Sequence, residues 1–290
     1  MEYLLKAVDL CNKRMTIYGA GAHATLEWAN TYAVDWCADN LVPAKQYKSD
    51  GLILWLDVVN NTGSNHNASA KVWKDLSGNG NDFTLYNSPT INDNDIAFSP
   101  GTTQYARSTA MLDLSSYNAI TVEISFKLLS LDQRSMLFDH PNDWNNNAGA
   151  FGVYLNSDGG SAVIPNVCNT VQNISGSATA GANNYNLLLD DMTYHRMTNT
   201  YSAVPNPTGR LMYHDGELLS SSGLYHKGTA IYNTFRNGYL FLASRDGRSS
   251  WNNVAIQSVR VYNRQLSASE ICDNAWIDFA RFGGTAPNCG

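Results

Sequence analysis

Residues Ser258–Phe282, SVRVYNRQLSASEICDNAWIDFARF, constrain this chain more than any other stretch. An extended apolar run ends in a short polar turn at Asn263–Gln265, and a helix is predicted to begin at Ser267. Glu270 follows three residues later, completing the S-x-x-E pattern in which the hydroxyl caps an amide and the carboxylate reaches back. Ile271, Ala275 and Phe279 recur at i, i+4 and i+8, so the helix has one apolar face to lay on a sheet.

Upstream, the period is two. In Gly51–Val58, Leu52, Leu54, Leu56 and Val58 alternate with Ile53, Trp55 and Asp57, which reads as a strand buried on one face and half-buried on the other. In Thr121–Leu128, Val122, Ile124, Phe126 and Leu128 point one way and Thr121, Glu123, Ser125 and Lys127 the other. Val254 and Ile256 share one phase and Val259 and Val261 the opposite one, which requires a β-bulge near Gln257–Ser258. Asn- and Gly-rich turns at Ser77–Asp82, Asn92–Asp95, His140–Asn147, Ser157–Gly160 and Arg245–Asn253 separate the strands. Many strands and a single late helix predict an all-β, two-sheet antiparallel sandwich rather than a βαβ fold.

Residues 1–48 differ: two short helical stretches surround a Gly-rich break, with Trp28, Tyr32 and Trp36 at four-residue spacing. A segment this small cannot bury such a stripe alone, so it must pack on the sandwich, on another copy or on a larger assembly. The expected division is a helical anchoring segment (1–48), a sandwich (49–284) and a tail (285–290). Net charge is −6 with charged residues at 15%, and no Lys/Arg cluster occurs, which argues against nucleic acid. No run of about 18 apolar residues exists to span a membrane as a helix. The opening MEYLLKAVDLCNKRM carries Glu2 and Asp9 and no basic leader, so no secretory signal is expected. Five cysteines at irregular spacing, Cys11, Cys37, Cys168, Cys272 and Cys289, read as free thiols, with a Cys11–Cys37 bridge as the alternative.

The order of these pieces resembles the laminin-G-like, concanavalin A-like jelly rolls. GLILWLD (Gly51–Asp57) and VWKDLSGNGNDFTL (Val72–Leu85) are similar to the opening of that family. LDLSSYNAITVEISFKL (Leu112–Leu128), YHRMTNTYS (Tyr194–Ser202), RLMYHDGELLSSS (Arg210–Ser222) and the closing strand and helix follow in the family's order. His214 departs from the pattern, standing where a small or apolar residue usually precedes Asp215–Gly216. Ala162–Asn186 is longer than the usual connection. The resemblance implies a jelly roll with one C-terminal helix, binding rather than catalysis, and in many members a calcium ion at the rim.

Catalytic signals are missing. The E-x-D-x-x-E pattern of laminarinase-type relatives does not occur, Glu123 is alone on its polar face, and the six histidines show no metal-ligand spacing. Asp75, Asn79 and Asp82 form an oxygen-rich loop that reads either as calcium ligands or as turn residues bonding their own backbone. Sugar recognition needs an aromatic face beside hydrogen-bonding groups. Two loops supply one: Trp144 with Asn142, Asp143 and Asn145, and Trp251 with Asp246, Arg248 and Asn252. The expected function is therefore a non-catalytic carbohydrate-binding and adhesion module that recognises a cell-surface glycan or polysaccharide. An unsignalled, low-charge β protein with a helical foot also resembles bacteriophage virion accessory or fibre proteins. On that expectation residues 1–48 attach a homo-oligomer to structural virion partners, and the sandwich faces the host surface outside the cell of synthesis. A purely structural decoration protein is the alternative, and a divergent glycoside hydrolase the third reading.

Overall fold

The computed structural model describes residues 46–130, 135–140, 150–155, 166–171, 181–186, 189, 192–202, 210–220, 223–226 and 235–289. The Trp28–Tyr32–Trp36 stripe, Cys11, Cys37 and the Asn142–Asn145 loop lie outside the described residues. From Lys48 onward the chain forms one compact unit.

The strands in chain order are β1 (Leu52–Asp57), β2 (Val72–Trp73), β3 (Phe83–Tyr86), β4 (Thr90–Ile91), β5 (Ile96–Phe98), β6 (Tyr105–Ser108), β7 (Leu112–Asp113) and β8 (Ala119–Leu128). Next come β9 (Ser135–His140), β10 (Phe151–Leu155), β11 (Asn166–Val171), β12 (Gly181–Asn186), β13 (His195–Ser202) and β14 (Arg210–His214). The chain closes with β15 (Glu217–Leu218), β16 (Gly223–His226), β17 (Asn237–Gly238), β18 (Phe241–Leu242), β19 (Val254–Tyr262) and the helix α1 (Ala268–Phe282). One sheet, A, runs β15–β14–β13–β8–β19–β5–β4, with β1 also on β19; the other, B, runs β16–β12–β11–β10–β9–β18–β6–β3–β2. Neighbours pair antiparallel. The predicted sandwich is therefore the observed one, and the extra length at Ala162–Asn186 contains the β11–β12 hairpin on sheet B.

The core lies between the sheets. Leu54, Leu56 and Val58 of the β1 run, Val122, Ile124 and Phe126 of β8, and Val259 and Val261 of β19 meet Phe83, Ala106, Phe138, Phe151 and Val153 from sheet B. Each of the Leu, Ile, Val and Phe side chains among them contributes about 1.5–3 kcal/mol on burial. The two phases of β19 are reconciled by a register shift between Ile256 and Ser258, where the sequence required a bulge. His140 belongs to β9 rather than to a turn, and it stacks on Phe151 with ring centroids 4.9 Å apart. Burial, with Arg236 nearby, pushes its pKa down to about 3, so it stays neutral.

The outer face of sheet A, polar in the alternation of β8, is nevertheless enclosed there. Thr121, Glu123 and Ser125 are all buried: Asn274 of α1 lies over Glu123, the segment before α1 closes on Thr121, whose hydroxyl donates to the Arg264 carbonyl and accepts from the Leu266 amide, and Ser125 donates to Gln257. The helix starts as expected: Ser267 accepts from the Glu270 amide and Glu270 accepts from the Ser267 amide. Its covered face is half polar, however, with Asn274 and Asp278 buried beside Ile271 and Ala275, while Phe279 is only half-buried. Arg260 explains the difference. Its guanidinium donates to Glu123 at 2.8 Å and to both Asp278 oxygens at 2.9 and 2.5 Å, and Asn274 also donates to Glu123 at 2.9 Å. Glu123 is thus not alone but part of an ion network beneath a helix. Arg281 bonds buried Asp57 at 2.5 Å in the same layer.

The expectation of free thiols fails for Cys272 and Cys289, which form a disulfide with Cα atoms 5.8 Å apart. The chain reverses at Gly283 and Gly284, both at positive φ. A Cβ at Gly284 would stand 2.5 Å from the Tyr194 carbonyl oxygen, so only glycine permits this approach. The returning segment is pinned by Thr285 N–H to the Tyr194 carbonyl (3.0 Å) and Asn288 N–H to the Asp215 carbonyl (2.9 Å), which brings Cys289 back to the first turns of α1.

Candidate functional site

In β3 and β6, Phe83, Leu85, Ala106 and Ser108 point into the core, so the alternate residues Thr84, Tyr86, Tyr105 and Arg107 face outward. Tyr86 pairs directly with Tyr105 across the strands, and their rings stack with centroids 4.5 Å apart and planes 4° apart. Arg107 pairs with Thr84 on one side and Phe241 on the other. Its guanidinium carbon lies 5.2 Å from the Tyr86 ring and 4.4 Å from the Tyr239 ring. Tyr86, Tyr105, Arg107 and Tyr239 are all half-buried, with flat faces and charge at the surface of sheet B.

The Arg245–Ser250 turn borders this patch. A Cβ at Gly247, where φ is +65°, would stand 2.9 Å from the Tyr105 ring, so glycine lets the turn lie against the tyrosine. Asp246 donates its backbone N–H to buried Asp139 at 3.0 Å, and Arg248 lies 3.4 Å from the Asp246 carboxylate. Burial raises the Tyr105 pKa, Tyr86 and Asp246 add to the rise and Arg107 opposes it, so the ring stays a neutral phenol. The Arg107 Nε has no hydrogen-bond partner among the described residues. Cation–π contact of this kind is worth about 0.5–2 kcal/mol and holds a guanidinium in place without neutralising it.

Of the second predicted loop, the structure brings Asp246 and Arg248 to this patch. Asn252 is buried and donates its N–H to the Ala243 carbonyl, and Trp251 is half-buried with its Nε1 enclosed. The patch itself is not among the sites that the sequence predicts. Its signal is the alternation in FTLY and YARS, which places Tyr86, Tyr105 and Arg107 off the core phase.

The Asp75 loop is held by its own hydrogen bonds. Asp75 accepts from the amides of Trp55, Ser77 and Asn81 at 2.9 Å each and from the Ser77 hydroxyl at 2.8 Å. Asp82 accepts from the Asp75 amide and from Lys74, while Asn79 donates to the Leu52 carbonyl. A calcium ion here has to displace backbone donors. Among the described residues, His195, His214 and Asp215 converge closely enough to hold a metal. A separate open groove of about 490 Å³ lies between the β14–β15 hairpin and α1, lined by Glu217, Leu218, Ser269 and Asp273. Its one aromatic residue, Tyr213, is buried among Tyr262, Leu266 and Ile271, so it offers no ring face to a sugar.

No curated protein matches the sequence. Solved structures do match at the level of fold. One is of botulinum neurotoxin type C, whose cell entry depends on interaction with two ganglioside molecules (TM-score 0.54, 14% identity, 78% of this chain and 51% of that one). Another is the binding domain of botulinum neurotoxin DC in complex with SialylT (TM-score 0.55, 13% identity, 79% and 51%). A third is Trypanosoma rangeli sialidase in complex with sialic acid (TM-score 0.52, 16% identity, 81% and 34%). The chain spans about half the length of the toxin structures and a third of the sialidase. The family model described as the concanavalin A-like lectin/glucanases superfamily matches residues 100–272, more than half of the sequence. The order of strands in the sandwich and this match together place the chain in the concanavalin A-like lectin/glucanase superfamily.

Proposed function

We propose that this chain is a non-catalytic glycan-binding module, and that Tyr86, Tyr105, Tyr239 and Arg107 form its binding face with Asp246 and Arg248 at the border. The observation that carries the reading is Arg107 held between two tyrosine rings. A sugar offers apolar C–H patches to such rings and hydroxyls to the surrounding polar groups. A guanidinium held over aromatic rings favours an acidic sugar, because it forms paired hydrogen bonds with a carboxylate. The dependence of botulinum neurotoxin type C on two gangliosides and the sialic acid complex of the sialidase are in keeping with that choice. A binding rather than catalytic role is supported by Glu123, whose carboxylate is committed to Arg260 and Asn274 beneath α1. The test is binding of full-length protein to sialylated and neutral glycans by array and then by calorimetry. Tyr105→Ala and Arg107→Ala are each expected to weaken binding at least about tenfold, by analogy with stacked and charge-assisted contacts. Unchanged binding in both variants would falsify the assignment of the face.

The finer proposal is that residues 1–48 attach the sandwich to an assembly such as a virion, which then presents it to host glycans. The Cys272–Cys289 bridge suits an oxidising extracellular surface. Light scattering on the full chain reads this: a defined multimer supports it and a monomer opposes it.

A further inference from the structure

His214 ends β14 immediately before the two-residue Asp215–Gly216 turn. Asp215 at φ 48° and Gly216 at φ 86° give the left-handed pair that a tight hairpin needs. His214 lies opposite Met197 and so shares the face of Met197 and His195 on β13. The result is three donor atoms in a small triangle. His195 Nδ1 is 2.7 Å from Asp215 Oδ2, His214 Nε2 is 3.0 Å from His195 Nδ1, and His214 Nε2 is 3.4 Å from Asp215 Oδ2.

Protons satisfy this triangle poorly. If both imidazole nitrogens carry hydrogen, both aim at one carboxylate oxygen and the 3.0 Å N···N contact sets two donors against each other. If only one of the two does, its single hydrogen is shared between the other ring nitrogen and the carboxylate oxygen, and the remaining nitrogen lone pair stands against that oxygen at 2.7 or 3.4 Å. A divalent cation removes the conflict by accepting all three lone pairs. The triangle has a circumradius of about 1.8 Å, so a point about 1 Å above its plane lies about 2.05 Å from every vertex, within the usual zinc–nitrogen and zinc–oxygen range. The surroundings match those of metal ligands. His195 Nε2 is 3.2 Å from Thr193 Oγ1, so the ring nitrogen turned away from the triangle has a polar partner of its own. The Arg196 backbone N–H holds Asp215 Oδ1 at 2.8 Å and leaves Oδ2 for the ion. The Arg196 guanidinium is 3.9 Å from Oδ1 and donates to the carbonyl oxygens of Gly283 and Thr285, away from the triangle. His195 and Asp215 are buried, and the His214 side chain is 18% exposed, so a fourth ligand reaches the ion from solvent.

We propose that His195 Nδ1, His214 Nε2 and Asp215 Oδ2 bind one divalent transition-metal ion of the zinc class, with water or an exogenous ligand in the remaining position. The ion ties β13 to the β14–β15 hairpin and to the C-terminal segment that Asn288 anchors on Asp215.

The test uses the full chain, stripped with a chelator and titrated with Zn²⁺ and Co²⁺. One equivalent of Zn²⁺ is expected to bind, Co²⁺ to give visible ligand-field bands, and the melting temperature to rise about 5 °C at a hundredfold excess over the dissociation constant. His214→Ala removes a partly exposed ligand and is expected to weaken binding about a hundredfold. His214→Cys, which supplies a thiolate, restores binding, and His66→Ala leaves it unchanged. No stoichiometric uptake by the stripped protein, or uptake that His214→Ala leaves intact, overturns the proposal.

Discussion

Arg260 is the cation on which the polar layer between sheet A and α1 depends. It, Glu123 and Asp278 are each less than 5% exposed, so water screens none of them. Arg260→Met keeps much of the side-chain stem and deletes the charge, leaving two carboxylates enclosed together. Breaking a buried ion network by removing one partner costs about 3–5 kcal/mol. For a folded unit of about 240 residues the unfolding entropy is about 0.5 kcal/mol per kelvin, so a loss of about 4 kcal/mol lowers the melting temperature by about 8 °C. The pH dependence has a defined sign. Burial raises the Glu123 pKa above its ordinary value, and Arg260 is the strongest influence pulling it back. A carboxyl with a raised folded-state pKa stabilises the fold below its unfolded pKa and loses that contribution as pH rises through the folded value. Without Arg260 the rise grows, so the penalty is greatest at neutral pH and shrinks toward the ordinary glutamate range. Urea unfolding of wild type and Arg260→Met at pH 7.5 and pH 5 measures both effects. A loss below about 1 kcal/mol at pH 7.5, against the 3–5 expected, or a gap equal at both pH values, would refute the reasoning.

Ser267→Ala removes the α1 cap and is expected to cost about 1 kcal/mol in denaturant unfolding. Arg264, with the Ser267 amide, holds the Glu270 pKa down to about 2, so this carboxylate's contribution is complete above the ordinary value of 4.5 and is lost as pH falls toward 2. In Glu270→Gln the stability difference from wild type should therefore vanish across that acid window. Cys289→Ser opens the bridge from Cys272, 17 residues away in sequence, and should cost about 3 kcal/mol, with no further loss when reductant is added. Gly247→Val places a β-branched side chain at φ +65° against the Tyr105 ring; it should destabilise by about 1–3 kcal/mol and weaken glycan binding as the turn is pushed off the patch. Calcium should leave the melting temperature unchanged, because the Asp75 oxygens already accept backbone amides; a calcium-dependent rise lost in Asp75→Asn would instead support the cation reading of that loop.

Local pattern carried most of the fold. The phase change in β19 demanded a bulge at Gln257–Ser258, and the register shift lies there because a one-residue slip would turn Val259 and Val261 out of the core. The cap at Ser267 was legible because its partners are three residues apart. What stayed hidden depends on distant partners. Glu123 meets Arg260 only because β8 and β19 lie side by side, and Asp278 reaches Arg260 only once α1 folds over them. Cys289 reaches Cys272 because two glycines turn the chain back, which cysteine spacing does not reveal. The proposed binding patch is likewise a product of register: Tyr86, Tyr105 and Arg107 look like ordinary solvent-phase residues until β3, β6 and β18 bring them together with Tyr239 and the Asp246 turn. Of the two loop tryptophans, Trp251 is half-buried with its indole nitrogen enclosed and Trp144 lies outside the described residues.

The central claim is tested most directly by calorimetric titration of a sialylated oligosaccharide into full-length wild type and Arg107→Ala, with melting curves confirming that both are folded. Saturable binding by wild type that falls at least about tenfold in the variant is the predicted result. Equal binding by both, or no glycan bound by wild type across an array, contradicts the account.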